Sequence, residues 1–227
     1  MRISHLFILL AASAMLTACD FLDEYNPNSV TVGNYYTSEE DIVASLNGVY
    51  TSLTQSYVAD NYHYFTDVRA NATVVTNSGA NSGIPYQFYN YTLTEENVYV
   101  YNRYSQLYKI ISRANTLFAH LGDVSYATPS ARDTYEAEAR FLRALSYYWL
   151  VTEWGDVPLV LKVLESTEEV RANNYRRPKA EIYQAIFDDL KYVTESPLLD
   201  VQPASACGKV SKAAAWACLL YTSPSPR

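Results

Sequence analysis

Apolar residues recur along most of this chain at spacings of three and four, the mark of helices with one buried face. From residue 37, "TSEEDIVASLNGVYTSL" puts Ile42, Leu46, Val49, Tyr50 and Leu53 on one side. Thr37 and Glu40 stand at capping-box spacing, where a hydroxyl and a carboxyl close the first turn reciprocally. A second helix is predicted over 96–121, striped by Tyr104, Leu107, Tyr108, Ile111, Ala114, Phe118 and Leu121 and stopped by Gly122 as a C′ residue. The strongest pattern predicts a third helix over 129–154, with Thr128 as cap and Pro129 in the first turn. Its buried side reads Tyr135, Ala139, Leu142, Leu145, Trp149 and Leu150, and Gly155 ends it. A fourth helix begins near Pro178, carries Ile182, Tyr183, Ile186, Phe187, Leu190 and Val193, and ends before Pro197. Lys209 to Ala217 opens a fifth.

Residues 57–95 break this rhythm. "YVADNYHYFTDVRANATVVTNSGANSGIPYQFYNYT" is polar and aromatic, rich in Gly, Asn and Ser turn signals, with no helical stripe. A run of this length inside a compact domain is functional or carries local structure of its own. Two antiparallel helix pairs with such an insertion suggest an all-α helical-repeat layout. No 34-residue self-similarity is readable, so any tetratricopeptide-type (TPR-like) repeat is degenerate.

Composition narrows the partners. The chain of 227 residues is long enough to bury a sizeable core, and 49% hydrophobic against 18% charged residues argues for a folded chain. A formal net charge of −7 leaves no basic stripe for nucleic acid and no electrostatic hold on anionic lipid. Tyrosine is abundant, at 22 residues. Its flat ring with a polar tip serves binding surfaces and helix packing equally well, so the count does not choose between them.

The first eighteen residues, MRISHLFILLAASAMLTA, carry one early cation, an apolar stretch and then small residues, as a secretory signal does. They end Leu16-Thr17-Ala18-Cys19, which resembles the bacterial lipobox. In that motif the cysteine sulfur is acylated and its amine becomes the new N-terminus. The alternative is a chance cysteine after an apolar run. Several acyl chains, at about 0.8 kcal/mol per buried methylene, make a durable anchor. Cys207 and Cys218 are too few and too isolated to suggest a disulfide framework.

At residues 137–160 the chain reads "AEARFLRALSYYWLVTEWGDVPLV". This resembles the hallmark segment of the SusD/RagB family, surface lipoproteins of Bacteroidetes polysaccharide-utilisation systems. The lipobox, "DIVASLNGVYTSL", "YSQLYKIISRANTLF" and "EIYQAIFDDLKYV" followed by "GKVSKAAAWA" lie in the family's order, so the resemblance covers roughly 19–217. Tyr104 departs from it, since the family commonly has Trp there; a conservative packing change is expected. Asp20, Asp23 and Glu24 after the anchor resemble the surface-export signal of lipoproteins in the Bacteroidetes, or form an ordinary solvated linker. Family members are longer, so the resemblance implies that this chain is an N-terminal fragment truncated at the C-terminus. The final "CLLYTSPSPR" resembles translated sequencing adapter and is expected to be a non-native tail, the alternative being a native Ser/Pro-rich end. The expected organisation is a signal peptide at 1–18, a lipidated linker at 19–36, SusD-like helical domain over 37–217 and the tail at 218–227.

The resemblance implies an outer-membrane, lipid-anchored, outward-facing protein that binds an oligosaccharide or other nutrient beside a SusC-like TonB-dependent transporter. No cofactor is implied. Aromatic faces against sugar rings and Asn, Asp or Arg on hydroxyls would do the binding. Tyr62, Tyr64, Tyr86, Tyr89, Tyr99 and Asn102 are the candidates in and beside the insertion. The competing reading is that these tyrosines pack within the loop or face the transporter. In the hallmark segment the residues read as architecture, with Glu138 pairing Arg140 or Arg143 near a helix–helix contact. An enzyme is disfavoured. Asp188 and Asp189 are helix neighbours pointing different ways, as on a solvated face, and no phosphate-loop, nucleophile-elbow or zinc motif is readable. Asp60, His63 and Asp67 are a thin suggestion of a metal site. A helical-repeat scaffold that binds a protein partner and no glycan remains the alternative.

Overall fold

The computed structural model describes residues 35–75 and 83–222; Cys19 and the acidic linker lie outside them. The described elements are α1 (Glu39–Leu53), a π turn (Tyr64–Val68), α2 (Tyr86–Tyr89), α3 (Val98–His120), α4 (Ala131–Trp154), α5 (Thr167–Asn173), α6 (Lys179–Glu195) and α7 (Lys212–Thr222). Among the described residues no strand forms, and Val157 with Arg177 makes one isolated antiparallel bridge. No helix among them is long and apolar enough to cross a membrane.

The long helices form where the periodicity places them, and their stripes build one core. Ile42, Leu46 and Val49 of α1, Leu107, Ile111 and Ala114 of α3, Leu142 and Leu150 of α4, and Ile182, Ile186, Leu190 and Val193 of α6 are buried together. Each large aliphatic side chain so buried contributes roughly 1.5–3 kcal/mol. Phe187, expected on the α6 stripe, is instead 40% exposed. α4 lies at the centre, and even its polar positions Glu136, Glu138, Arg143 and Ser146 are buried. Its short connection to α3 and the cross-contacts Arg103–Glu153, Tyr108–Tyr147 and Asn115–Arg143 establish an antiparallel hairpin. The Tyr192–Glu136 and Tyr148–Tyr183 interactions, with Asp189 against Arg143, run α6 antiparallel to α4 as well.

Helix ends depart from the expected positions for local reasons. The cap of α1 is Ser38, not Thr37, and Asp41, not Glu40, closes the box. One Asp41 oxygen takes hydrogen bonds from the backbone and hydroxyl of both Thr37 and Ser38 at 3.0–3.1 Å, which a carboxyl one residue earlier would not gather. α3 begins at Val98 because Asn97 caps it, accepting from the Tyr99 and Val100 amides. Gly122 follows α3 without a left-handed backbone, as Asp123 N–H returns to the His120 carbonyl. Thr128 and Pro129 form a turn before α4, which starts at Ala131 without a side-chain cap. α7 starts at Lys212 rather than Lys209, because residues 204–206 wind as a 3-10 turn, and it runs past Ala217 to Thr222.

Gly155 does end α4, at φ 74°, a conformation that glycine adopts without steric cost. The chain then crosses α3 and α4 as a strap. Tyr108 donates to the Pro158 carbonyl at 2.6 Å, and Tyr147 exchanges hydrogen bonds with both backbone groups of Val160. Asn115 donates to Val160 and Lys162, and Asp156 accepts from the Lys179 amide at the start of α6. The hallmark segment is therefore a helix followed by a pinned strap, an architectural part.

Candidate functional site

The insertion is structured, not bare loop. Its π turn and α2 bury Phe65, Val68 and Phe88 as a small second core, with Tyr64, Tyr89, Tyr99, Val100 and Trp154 packed against it. Phe65 meets Phe88 edge-on at 4.9 Å and Trp154 at 6.2 Å, so this core abuts the end of α4. Asn97 adds a polar staple: while capping α3 it donates to the Ile84 carbonyl and the Gln87 side chain. These elements carry no helical stripe because they are too short to show one.

Arg103 fastens the insertion to the hairpin. Its side chain is fully buried, and it holds Glu153 in a bidentate pair at 2.7 and 2.6 Å. The third nitrogen donates to the Tyr57 and Val58 carbonyls, where the insertion begins. The guanidinium lies 5.1, 4.8 and 5.5 Å from the ring centres of Tyr62, Phe65 and Trp149. Burial pushes the Glu153 carboxyl above its ordinary value, and the Arg103 guanidinium opposes that shift. Arg103 escaped the sequence reading, although it sits four residues before Leu107 on the apolar stripe. A cation in such a stripe needs a partner.

The six candidate residues separate by environment. Tyr64 and Tyr99 meet edge-on at 5.3 Å, and Tyr99 also meets Tyr57 at 5.4 Å. Tyr86 and Tyr89 lie 5.6 Å apart on α2. Tyr62 is 39% exposed over Arg103 and Trp149, and Asn102 is half-buried on α3. Tyr62 presents the most open of these rings, while Tyr64, Tyr89 and Tyr99 also support the second core. Beside them Phe65, Arg69, Phe88, Leu93, Glu153 and Trp154 enclose a depression of about 180 Å³. A cavity of about 240 Å³ between α4, α6 and α7 is lined by Leu145, Tyr148, Ile186, Leu190 and Cys218, too apolar to orient a polar ligand.

Several sequence-based pairings are corrected. Glu138 does not meet Arg140 or Arg143; it accepts from the Tyr50 hydroxyl at 2.7 Å and lies 3.6 Å from Lys209. The arginines turn to the opposite side of α4, where Arg143 grips Asp189 through two nitrogens at 2.8 Å and Arg140 joins at 3.0 Å. Asp189 is therefore buried, not part of a solvated face, and only Asp188 faces solvent. His63 approaches the backbone carbonyl of Asp60 and not its carboxylate. Among the described residues no three His, Cys, Asp or Glu side chains gather as a metal site.

The SusD-like family model, described as starch-binding and associating with the outer membrane, matches residues 20–221. SusD-like protein P2 of Formosa agariphila is 27% identical over 97% of this chain and 42% of its own length. A SusD-like protein of Bacteroides ovatus is 25% identical over 85% of the chain and 35% of its own. Among solved structures, a laminarin-binding SusD-like protein matches with TM-score 0.73 and 26% identity over 82% of this chain and 40% of that one. Surface glycan-binding protein A of Bacteroides thetaiotaomicron, solved with laminarihexaose, shares the fold at TM-score 0.67 and 20% identity, over 82% and 38%. The chain thus spans about two fifths of the length of the curated relatives it matches first. With a degenerate TPR-like helical body, a structured aromatic insertion and a family match across nearly all its residues, this chain belongs to the SusD-like family.

Proposed function

We propose that this chain is part of a cell-surface lipoprotein that captures an oligosaccharide and hands it to a SusC-type TonB-dependent outer-membrane transporter. The observation that carries this reading is the family match over residues 20–221, reinforced by the likeness to a laminarin-binding relative. Residues 1–18 would be removed as a signal peptide, and Cys19 would carry the acyl anchor on a linker reaching to about residue 36. The helical body from residue 37 then holds the aromatic insertion outward. Rings bury the apolar faces of sugars at little conformational cost, and polar side chains between them bond hydroxyls. Tyr62 and Tyr86 are the candidates with ring surface to offer, with Tyr64, Tyr89, Tyr99 and Asn102 setting their frame. Binding and release are the whole chemistry in this reading, with no catalytic step.

Affinity electrophoresis through gels containing laminarin or amylopectin tests the reading, alongside radiolabelled-palmitate incorporation at Cys19. Retardation in one of the gels and labelling that disappears in Cys19→Ser are the expected results. Unretarded migration in both gels, with transporter binding intact, would instead identify a protein-binding scaffold.

A further inference from the structure

The depression beside the insertion does not stand alone. A second, of about 200 Å³, opens next to it between Glu95, Tyr101, Tyr104, Trp154 and Arg176. A third, of about 160 Å³, follows between Tyr104, Tyr108, Pro158, Asn173 and Asn174. Val100 and Trp154 wall both the first and the second, and Tyr104 walls both the second and the third. The three therefore adjoin one another as a segmented groove along α3, each sharing a wall with the next. From Val100 to Tyr108 the helix rises roughly 12 Å, room for more than one sugar ring. Each depression alone is smaller than the roughly 300 Å³ at which ligand pockets begin, so a ligand of oligosaccharide size must span more than one of them.

The floor of this groove is rigid and its rim is unsatisfied. Tyr104 is held between Trp154, edge-on at 5.3 Å, and Tyr108 at 4.9 Å, and Tyr108 is tied to the strap through Pro158. Asp156, though it lines the second depression, is committed to the α6 amide of Lys179. Tyr101 stands at the rim with 68% of its surface exposed. Glu95 and Arg176 face the same space, and neither makes a hydrogen bond or ion pair to any described residue. Arg103, Arg140 and Arg143, in contrast, are all paired.

We infer that this groove, with Tyr101, Tyr104 and Trp154 as ring platform and Glu95 and Arg176 as hydroxyl partners, binds a linear, uncharged oligosaccharide. The inference rests on the glycan-binding reading above and gives it a location on the flank of α3, beyond the insertion itself. Glu95, Asp156 and Arg176 together leave the middle depression with one surplus negative charge, since the Lys179 amide that Asp156 accepts from is neutral. This disfavours a polyanion and leaves a neutral polyhydroxylated chain as the better fit. The Glu95 carboxylate accepts from hydroxyls and the Arg176 guanidinium donates to them, so both ends of a sugar's hydrogen-bonding repertoire are met. Successive depressions then receive successive rings.

Titration calorimetry of the full chain with laminarihexaose and with a maltooligosaccharide tests the assignment, with circular dichroism confirming the fold of each variant. Tyr101 and Arg176 are both exposed, so replacing them leaves the packing in place. The Tyr101→Ala, Arg176→Ala double variant is expected to bind roughly tenfold or more weakly, and Tyr101→Phe, which keeps the ring, to bind within about threefold of the unaltered chain. Undiminished binding by the double variant would overturn the groove and leave the glycan-binding reading standing. Failure of the unaltered chain to bind either oligosaccharide would overturn both.

Discussion

Asp189 shows how much one buried carboxylate organises here. It is 3% exposed and accepts three hydrogen bonds from Arg140 and Arg143, joining α6 to α4 at the middle of the core. Arg143 also donates to Asn115 on α3 and to the strap at Leu161, so three elements and a loop meet at one network. Removing one member of a buried pair leaves the others desolvated without a counter-charge, which costs about 3–5 kcal/mol. Asp189→Ala is therefore expected to lower unfolding free energy by about that amount in urea titration. Asp188→Ala, at an exposed site, should change it by less than about 0.5 kcal/mol. Equal small losses for the two variants would show that water, and not Asp189, satisfies the arginines. The pairing was not legible in the sequence. Glu138 and the arginines share one helix within a few residues, and only the three-dimensional packing reveals that Glu138 faces α1 while Arg143 faces α6. Arg103 and Asn115 left a fainter trace, as polar residues set at helical spacing within an apolar stripe.

At the scale of elements, legibility followed length. Helices of fifteen residues or more average out local accidents, so the stripes of α1, α3, α4 and α6 located them. Their ends depend on single hydrogen bonds and shifted by at most two residues, while α5 and the pieces of the insertion are too short to establish a period. The start of α1 also makes a testable electrostatic joint. Glu39 accepts from the Ala127 amide and the Tyr135 hydroxyl, both at 2.7 Å, tying α1 to the loop before α4. The Ala127 amide, then the Tyr135 hydroxyl, hold its carboxyl below the ordinary value, and the Thr37 amide leads the same effect at Asp41. A carboxyl depressed in the folded state stabilises fully above its unfolded value, roughly 4.3 for Glu, and loses that contribution as pH falls through the folded value. The melting temperature should accordingly drop as pH goes from about 5 to 3, and Glu39→Gln should flatten part of that drop. An identical acid slope in the variant would remove Glu39 from the account.

Among the described residues of the molecule, two cores of unequal size share a boundary. The main core spans α1, α3, α4, α6 and α7, while the insertion's core is three buried residues, and Trp154 packs against both. So small a cluster is marginal by itself, and its order depends on what fastens it to the hairpin. Arg103 does most of that fastening, because its pair with Glu153, its bonds to Tyr57 and Val58 and its three ring contacts all converge on one side chain. The insertion is therefore expected to open more readily than α3 and α4, in the manner of a separate cooperative unit. Hydrogen exchange resolved by peptide should show amides of 57–75 and 84–95 exchanging faster than those of 105–118. In Arg103→Met the insertion should lose protection while the middle of α6 keeps it, since no Arg103 contact reaches that helix. Uniform loss across all segments would mean that the two cores fold as one, and that the aromatic surface offered to a ligand is as rigid as the hairpin beneath it.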